Sequence, residues 1–128
     1  MKNIDLRRVA LTTNKSYGEY IRLSVNGQIA VSKGAVEYTG MTEDDKAVFF
    51  QNNNDPKQWF FSYGKEGDYK VRFAKPDTDD KTLQFSCAAL RDEIIKALGL
   101  SKKTTRLWLS KEPVVLEGRK LWILNYRD

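Results

Sequence analysis

The sequence contains no histidine and a single cysteine, Cys87. Without histidine the chain lacks the commonest general base and the commonest metal ligand, so a Ser-His-Asp or Cys-His catalytic pair is excluded. One cysteine cannot form an intramolecular disulfide, and it leaves no ligand set for a structural zinc ion. We therefore predict a non-enzymatic cytoplasmic protein that holds neither a metal ion nor a cofactor.

Long hydrophobic runs are also missing. No stretch is apolar enough to span a bilayer, and residues 1–16 lack the apolar core of a signal peptide, so we predict no membrane association. The 128 residues suit one compact domain, and a composition of 41% hydrophobic and 30% charged residues is typical of a folded chain.

Acidic residues are outnumbered by basic ones. The formal net charge is +5 at pH 7 and the pI is about 9.3. Residues 1–64 carry 8 Lys and Arg against 7 Asp and Glu, whereas residues 65–128 carry 14 against 10. A basic domain favours polyanionic partners, nucleic acid first, although a modest positive charge also keeps a small protein soluble.

Two distant parts of the chain follow one pattern. IAVSKGAV begins at Ile29 and LQFSCAAL begins at Leu83, and in both a strand-like triplet is followed by serine and by small residues that open a helix. The spacing between matched positions grows along the chain, as insertions at connections would make it. It is 50 residues at Ile21 and Val71, 54 at Ile29 and Leu83, 59 at Gly40 and Gly99, and 63 at Trp59 and Trp122. The pattern predicts an internal duplication.

The first copy predicts the element order β-β-α-β-β. Strands over 20–25 and 28–31 flank Asn26-Gly27, a strong signal for a two-residue hairpin turn. A helix over 33–39 follows and ends at Gly40. Strands over 47–51 and 58–63 complete the unit.

The second copy repeats this order with longer connections. Strands over 69–74 and 82–85 precede a helix over 87–98, with Ser86 as its N-cap and Gly99 as its end. The spacing of apolar residues predicts an inward helix face, with Arg91 on the opposite, outward face. Strands over 105–109 and 114–125 follow, and Glu117-Gly118 forms a turn between the parts of the last hairpin.

The predicted fold class is therefore α+β, mostly β, with two tandem β-β-α-β-β repeats packed as one pseudo-twofold domain. An N-terminal arm over 1–18 precedes a first repeat over 19–64 and a second over 65–128. Neither half is large enough to bury a core of its own, so we expect them to share one.

Residues 26–50, NGQIAVSKGAVEYTGMTEDDKAVFF, resemble the AbrB/MazE-type swapped-hairpin DNA-binding family. The family pattern runs from a turn glycine through an apolar strand and a short helix to an acidic turn and another apolar strand. The matching positions here are Gly27, Ile29, Val31, Gly40, Met41, Asp44, Asp45 and Val48. The resemblance implies two interleaved units, here within one chain, and basic residues near the hairpins that meet DNA. Ser32 stands where the family usually has proline, and Gln28 stands where it often has arginine.

Nine basic residues are candidates for contact with nucleic-acid phosphates. They are Arg7 and Arg8 in the arm, Arg22, Lys33, Lys70 and Arg72 on or beside the strands, and Lys102, Lys103 and Arg106 in the densest basic run. Each also has an ordinary interpretation as part of a solvated tail, an exposed strand or a charged turn.

The first hypothesis is a transcriptional regulator or accessory factor that binds duplex DNA through Lys and Arg, with salt-dependent affinity. The second is a single-stranded nucleic-acid binder that stacks bases on strand aromatics. Trp59 and Trp122 are expected in the core, whereas Tyr63 and Tyr69 are expected on the surface. The third is a protein-interaction or structural accessory protein of a phage or mobile element, for which an exposed apolar patch would be the sign. The sequence leaves open whether the chain also forms a homo-oligomer.

Overall fold

The computed structural model describes residues 18–101 and 103–126. Within these ranges the chain is mostly β, as predicted, with two helices, and neither helix is long and apolar enough to cross a membrane. The strands are β1 (Tyr20–Leu23), β2 (Gln28–Val31), β3 (Lys46–Asn52), β4 (Asp55–Gly64), β5 (Tyr69–Lys70), β6 (Arg72–Phe73), β7 (Leu83–Ser86), β8 (Thr105–Leu109), β9 (Val114–Leu116) and β10 (Arg119–Tyr126). The helices are α1 (Lys33–Thr39) and α2 (Ala88–Leu98).

The strands form one sheet whose path returns to its starting segment. Neighbouring strands follow the order β5-β3-β4-β10-β8-β1-β2-β7-β6, and β9 pairs with β10 beside this path. β5 and β6 are the two ends of one short segment, residues 69–73, which is interrupted at Val71. Because β5 pairs with β3 and β6 pairs with β7, this segment closes the sheet into a ring.

Alternation along the strands sends apolar side chains into the ring. Ile21 and Leu23 of β1 are fully buried, whereas Arg22 between them is only half-buried. One core cluster joins these residues to Phe61 of β4 and Leu83 of β7, and both helices contribute to it. Full burial of such a side chain stabilises the fold by about 1.5–3 kcal/mol relative to exposure, so this shared core is the main stabilising element.

Helix α1 has the predicted bounds and is fixed at both ends. The buried Ser32 hydroxyl oxygen accepts hydrogen bonds from the backbone N–H groups of Ala35 and Tyr20, both at 3.1 Å, and the hydroxyl donates to the Gly18 carbonyl at 2.8 Å. Gly40 ends the helix in the left-handed conformation, at φ 81°. Ser32 therefore caps α1 and also ties it to the start of β1.

Helix α2 departs from its prediction at its first turn. Ser86 is the last residue of β7 and does not cap the helix; Cys87 is the N-cap residue, and its side chain makes no capping hydrogen bond. Arg91, predicted to face outward, is 3% exposed and pairs with Asp92 at 2.9 Å. The remaining predictions for α2 are confirmed, because Ile94 lies in the core and Gly99 ends the helix.

The loop of the first hairpin also differs from the predicted two-residue turn. Gly27 alone in this loop has a positive φ, 89°. The Gly27 N–H donates to the Ser24 carbonyl at 3.0 Å and the Ser24 N–H donates to the Gln28 carbonyl at 2.9 Å, so the loop has three residues. The Asn26 side chain accepts from the Gln28 N–H at 3.1 Å, a local bond that favours this longer form.

The tip of this hairpin contacts the other half of the chain. The Cys87 N–H donates to the Gly27 carbonyl at 3.0 Å. A Cβ on Gly27 would lie 3.0 Å from the Cβ of Ala88, at the start of α2. Gly27 is therefore required both for its backbone conformation and for this close approach.

Tyr63 and Tyr69, expected on the surface, are half-buried against the core. Tyr63 stacks on Trp122 with ring centroids 6.0 Å apart, and its hydroxyl donates to the Thr39 carbonyl. Tyr69 stacks on Phe85 at 4.8 Å. Burial raises the pKa of both phenols. The prediction failed because both rings pack against residues of strands distant in sequence, Trp122 and Phe85, which alternation along one strand does not reveal.

Candidate nucleic-acid interface

Three of the predicted arginines lie in one row on the outer surface of the sheet. Residues paired across the five strands β8-β1-β2-β7-β6 form this row, which we call the basic row. In order it contains Arg106, Arg22, Ala30, Gln84 and Arg72. Because the flanking residues of β1 point into the core, the Arg22 side chain leaves the other face of the sheet. Ala30, at the middle of the row, is covered and only 2% exposed. The row contains no carboxylate.

Arg22 and Arg106 are directly opposed on neighbouring strands. Arg106 is exposed, and its guanidinium lies over the Tyr20 ring, 4.7 Å from the centroid. Arg22 is half-buried, and its Nε is buried without a hydrogen-bond partner. Neither arginine forms a salt bridge with a carboxylate of the described residues. Two like charges at opposed positions destabilise the sheet, so an anion placed between them would relieve their repulsion.

Arg72 and Lys70 extend the positive surface at the far end of the basic row. Both are exposed on the outer face of the segment 69–73. Lys70 is paired with Lys46 of β3, which is also exposed. Sequence reasoning missed Lys46, because only the pairing of β3 with β5 brings it beside Lys70.

Of the remaining predicted basic residues, Lys33 and Lys103 are described by the structure, and neither is one of the five paired positions of the row. Lys33 begins α1, and its charge acts on Asp80 of the loop before β7 rather than on the row. Lys103 is exposed before β8, where it lines a shallow open pocket together with Arg106 and Trp108. Arg7, Arg8 and Lys102 lie outside the described residues.

Most strand tryptophans are used in packing. Trp59 and Trp122 are 5% and 4% exposed and belong to the core, as expected. Trp108 is half-buried, with Tyr20 packed edge-on at 5.0 Å. A Cβ on Gly18 would lie 2.3 Å from the Trp108 ring, so the backbone of Gly18 covers part of it. None of the three tryptophans offers a fully open face to a stacking base.

An apolar patch lies on β3 and β9, outside the five strands of the basic row. Its exposed side chains are Phe50 of β3 and Val115 and Leu116 of β9, at 37%, 60% and 53% exposure. The Arg119 guanidinium lies over the Phe50 ring, 5.5 Å from its centroid. In the described ranges β9 pairs with β10 alone, so its other edge is open. The run of three apolar residues from Val114 was the available signal for this patch, and sequence reasoning did not use it.

Within residues 18–101 and 103–126, no three Cys, Asp or Glu side chains lie close enough to hold a metal ion. The predicted acidic turn has a structural role, because the buried Asp45 carboxylate accepts from the backbone N–H and the hydroxyl of Thr42 at 2.8 and 3.1 Å. No protein-family model, curated protein or solved structure matches the chain.

Proposed function

We propose that the chain is a small non-enzymatic protein of the cytoplasm that binds duplex DNA, as a transcriptional regulator or accessory factor. The observation that carries this proposal is the basic row, in which Arg22, Arg72 and Arg106 share one outward face. Arginine is the side chain best suited to phosphate, because its planar guanidinium donates two parallel hydrogen bonds to one anion. Between the arginines lie Ala30, which is covered, and the half-buried Gln84, and neither side chain carries a charge that would repel a phosphate.

The covered tryptophans favour duplex DNA over single strands. A binder of single strands uses aromatic faces open to solvent, and Trp59, Trp108 and Trp122 are covered to different degrees by the protein itself. A row of arginines needs only a phosphate backbone, which duplex DNA presents at high charge density.

We further propose that the two halves are copies of one β-β-α-β-β unit, interleaved as in the AbrB/MazE-type family. The strand order supports this. Exchanging β1 with the segment 69–73, β2 with β7, β3 with β8 and β4 with β10 maps the ring of strands onto itself. The interleaving is reciprocal, since β1 of the first half pairs with β8 of the second, and β5 of the second pairs with β3 of the first.

The pairing of individual residues also supports two copies. Leu23 pairs with Ile29 in the first unit, and Phe73 pairs with Leu83 in the second. The sequence spacing of 50 relates Leu23 to Phe73, and the spacing of 54 relates Ile29 to Leu83. The contact between β4 and β10 is symmetric as well. The spacing of 63 relates Trp59 to Trp122 and Phe61 to Leu124. The observed pairing of Trp59 with Leu124 therefore has its counterpart in the pairing of Trp122 with Phe61.

This symmetry bears on the basic row. The spacing of 54 exchanges Ala30 with Gln84, which pair with each other, so the pseudo-twofold axis passes between them at the middle of the row. Arg22 and Arg72 then lie on either side of the axis, with Cα atoms about 14 Å apart by three strand spacings. Twofold proteins align their axis with the local dyad of the duplex, so the proposed axis passes through the proposed contact surface.

Fluorescence anisotropy of a labelled duplex at about 50 and about 200 mM salt tests the DNA-binding proposal. Each neutralised phosphate should weaken binding about 3.5-fold over this range. The R22Q/R72Q variant should lose most of the affinity. The matched control Lys57→Gln removes an exposed charge on β4, outside the five strands of the row, and should bind like the parent protein.

Absence of duplex binding at the lower salt concentration would contradict the proposal. Tighter binding of a single-stranded oligonucleotide than of the duplex would favour the second hypothesis.

The apolar patch supports a second candidate function, that of a protein-interaction or structural accessory protein. Exposed Val115 and Leu116 beside an open strand edge are the kind of surface that pairs with another chain. A protein that binds neither form of DNA but loses association with its partner on Leu116→Ser would have this function.

A further inference from the structure

We propose that Arg22 and Arg106 hold a single phosphate of the duplex between them, while Arg72 holds a second phosphate alone. This inference rests on the proposed DNA-binding function and assigns its contacts. It makes the basic row asymmetric, with two arginines on one side of the pseudo-twofold axis and one on the other.

The spacing of Arg22 and Arg106 suits one shared anion. Directly opposed residues of antiparallel strands have Cα atoms about 4.5–5.5 Å apart, and each guanidinium offers several N–H donors. The two non-bridging oxygens of a phosphodiester have enough lone pairs to accept from both side chains.

The surroundings fix both arginines before any ligand arrives. The Tyr20 ring lies under the Arg106 guanidinium at 4.7 Å, and the burial of Nε anchors the stem of Arg22. Arg106 thus needs little further ordering on binding, which reduces the entropic cost of the contact. Within residues 18–101 and 103–126, the buried Nε of Arg22 has no acceptor and no carboxylate pairs with its guanidinium, so the protein does not neutralise this charge there.

On the other side of the pseudo-twofold axis no second arginine of the described residues opposes Arg72. Arg72 pairs with Gln84, as Arg22 pairs with Ala30. In the proposed symmetry the pairing of β1 with β8 corresponds to the pairing of β5 with β3, where the exposed pair is Lys70 and Lys46. Arg72 therefore stands at its position without a second arginine opposite, and we assign it one phosphate of its own.

The salt dependence of duplex affinity counts the neutralised phosphates and so tests this assignment. The slope of log K against log salt changes by about 0.9 for each phosphate that the protein no longer neutralises. R22Q and R106Q should each lower affinity but leave the slope nearly unchanged, since the remaining arginine still neutralises the phosphate. R22Q/R106Q should reduce the slope by about 0.9, and R72Q should do so alone.

Controls for folding and for charge separate loss of a phosphate contact from other effects of the substitutions. Circular dichroism and thermal unfolding of every variant confirm that the fold is retained. R22K keeps the charge at the half-buried position and should keep the slope of the parent protein. Lys57→Gln serves as the control for removal of a positive charge outside the row.

The outcomes separate the shared contact from the proposed function. If R22Q and R106Q each reduce the slope by about 0.9 and their effects add, the two arginines contact separate phosphates, and the shared contact is refuted while DNA binding stands. An unchanged slope for R22Q/R106Q also refutes it and moves the binding surface elsewhere. If the parent protein does not bind the duplex at about 50 mM salt, the proposed function fails and the inference fails with it.

Discussion

Asp80 lies in the long loop before β7, and its contacts favour the charged form of its carboxylate. The side chain and the backbone N–H of Thr82 donate hydrogen bonds to its carboxylate, the latter at 2.9 Å. The Lys75 ammonium lies 3.8 Å from it, and the charge of Lys33 acts in the same direction. Led by the hydrogen bonds from Thr82, these contacts lower the pKa of Asp80.

This lowered pKa gives a prediction about stability and pH. Because the folded pKa lies below the unfolded value of about 3.9, the charged carboxylate stabilises the fold above that pH, and the contribution is lost as the pH falls through the folded pKa. We expect Asp80→Asn to be less stable than the parent protein at neutral pH. Chemical denaturation at several pH values should show the difference shrinking below about pH 4.

The neighbouring Asp79→Asn variant is the control for this experiment, since Asp79 is exposed in the same loop. A stability difference for Asp80→Asn that stays constant down to about pH 2 would show that the Asp80 charge does not contribute.

The basic row was only partly predictable from single residues. Strand alternation indicated that Arg22 and Arg72 face outward, because apolar residues flank each of them. That Arg106 opposes Arg22 follows from the pairing of β1 with β8, two strands more than 80 residues apart along the chain. No local pattern encodes such a pairing, so the opposed pair of Arg22 and Arg106 is visible only in the folded molecule.

Among the elements, both helix ends marked by glycine and the start of α1 were predictable, whereas the start of α2 was not. Gly40 and Gly99 end α1 and α2 as predicted, because glycine adopts the left-handed conformation at the lowest cost of any residue. Ser86 was a reasonable N-cap from sequence, but β7 continues through it to pair with Gln28. A tertiary strand contact thus overrides a local capping preference.

The predicted turn between β9 and β10 gives a test at the scale of one element. Glu117 and Gly118 both have positive φ, 51° and 78°, the geometry of a tight two-residue hairpin turn. Glutamate tolerates this region poorly, whereas asparagine and aspartate enter it readily. We expect Glu117→Asn and Glu117→Asp each to raise the free energy of unfolding, by up to about 1 kcal/mol, in urea denaturation.

Agreement between the two substitutions is informative because aspartate keeps the charge and asparagine does not. Glu112→Asn, at an exposed position without positive φ, controls for the change of side chain. Destabilisation by both Glu117 variants would mean that the glutamate side chain makes a contact worth more than the backbone strain.

At the scale of the whole molecule, the order of elements was predictable but their mixing was not. The pattern β-β-α-β-β can be read twice along the chain, yet a simple arrangement would pair each strand within its own half. Instead β1 lies beside β8, and the segment 69–73 lies between β3 and β7. Only the resemblance to a swapped-hairpin family suggested interleaving, since sequence patterns carry little information about long-range pairing.

Interleaving predicts that neither half folds alone. A fragment of residues 1–64 would keep β2 beside β1 but lack β8, its other partner strand, and the core residues Ile21 and Leu23 would be without Leu107 and Leu83 of the shared cluster. We expect this fragment and the fragment of residues 65–128 each to give the circular dichroism spectrum of an unfolded chain at micromolar concentration. Mixed in equal amounts, they should recover the native spectrum and the buried environment of Trp59 and Trp122, because together they supply every strand of the ring.

A monomeric 1–64 fragment that unfolds cooperatively on heating would contradict the interleaved arrangement, since such a fragment would possess a core of its own.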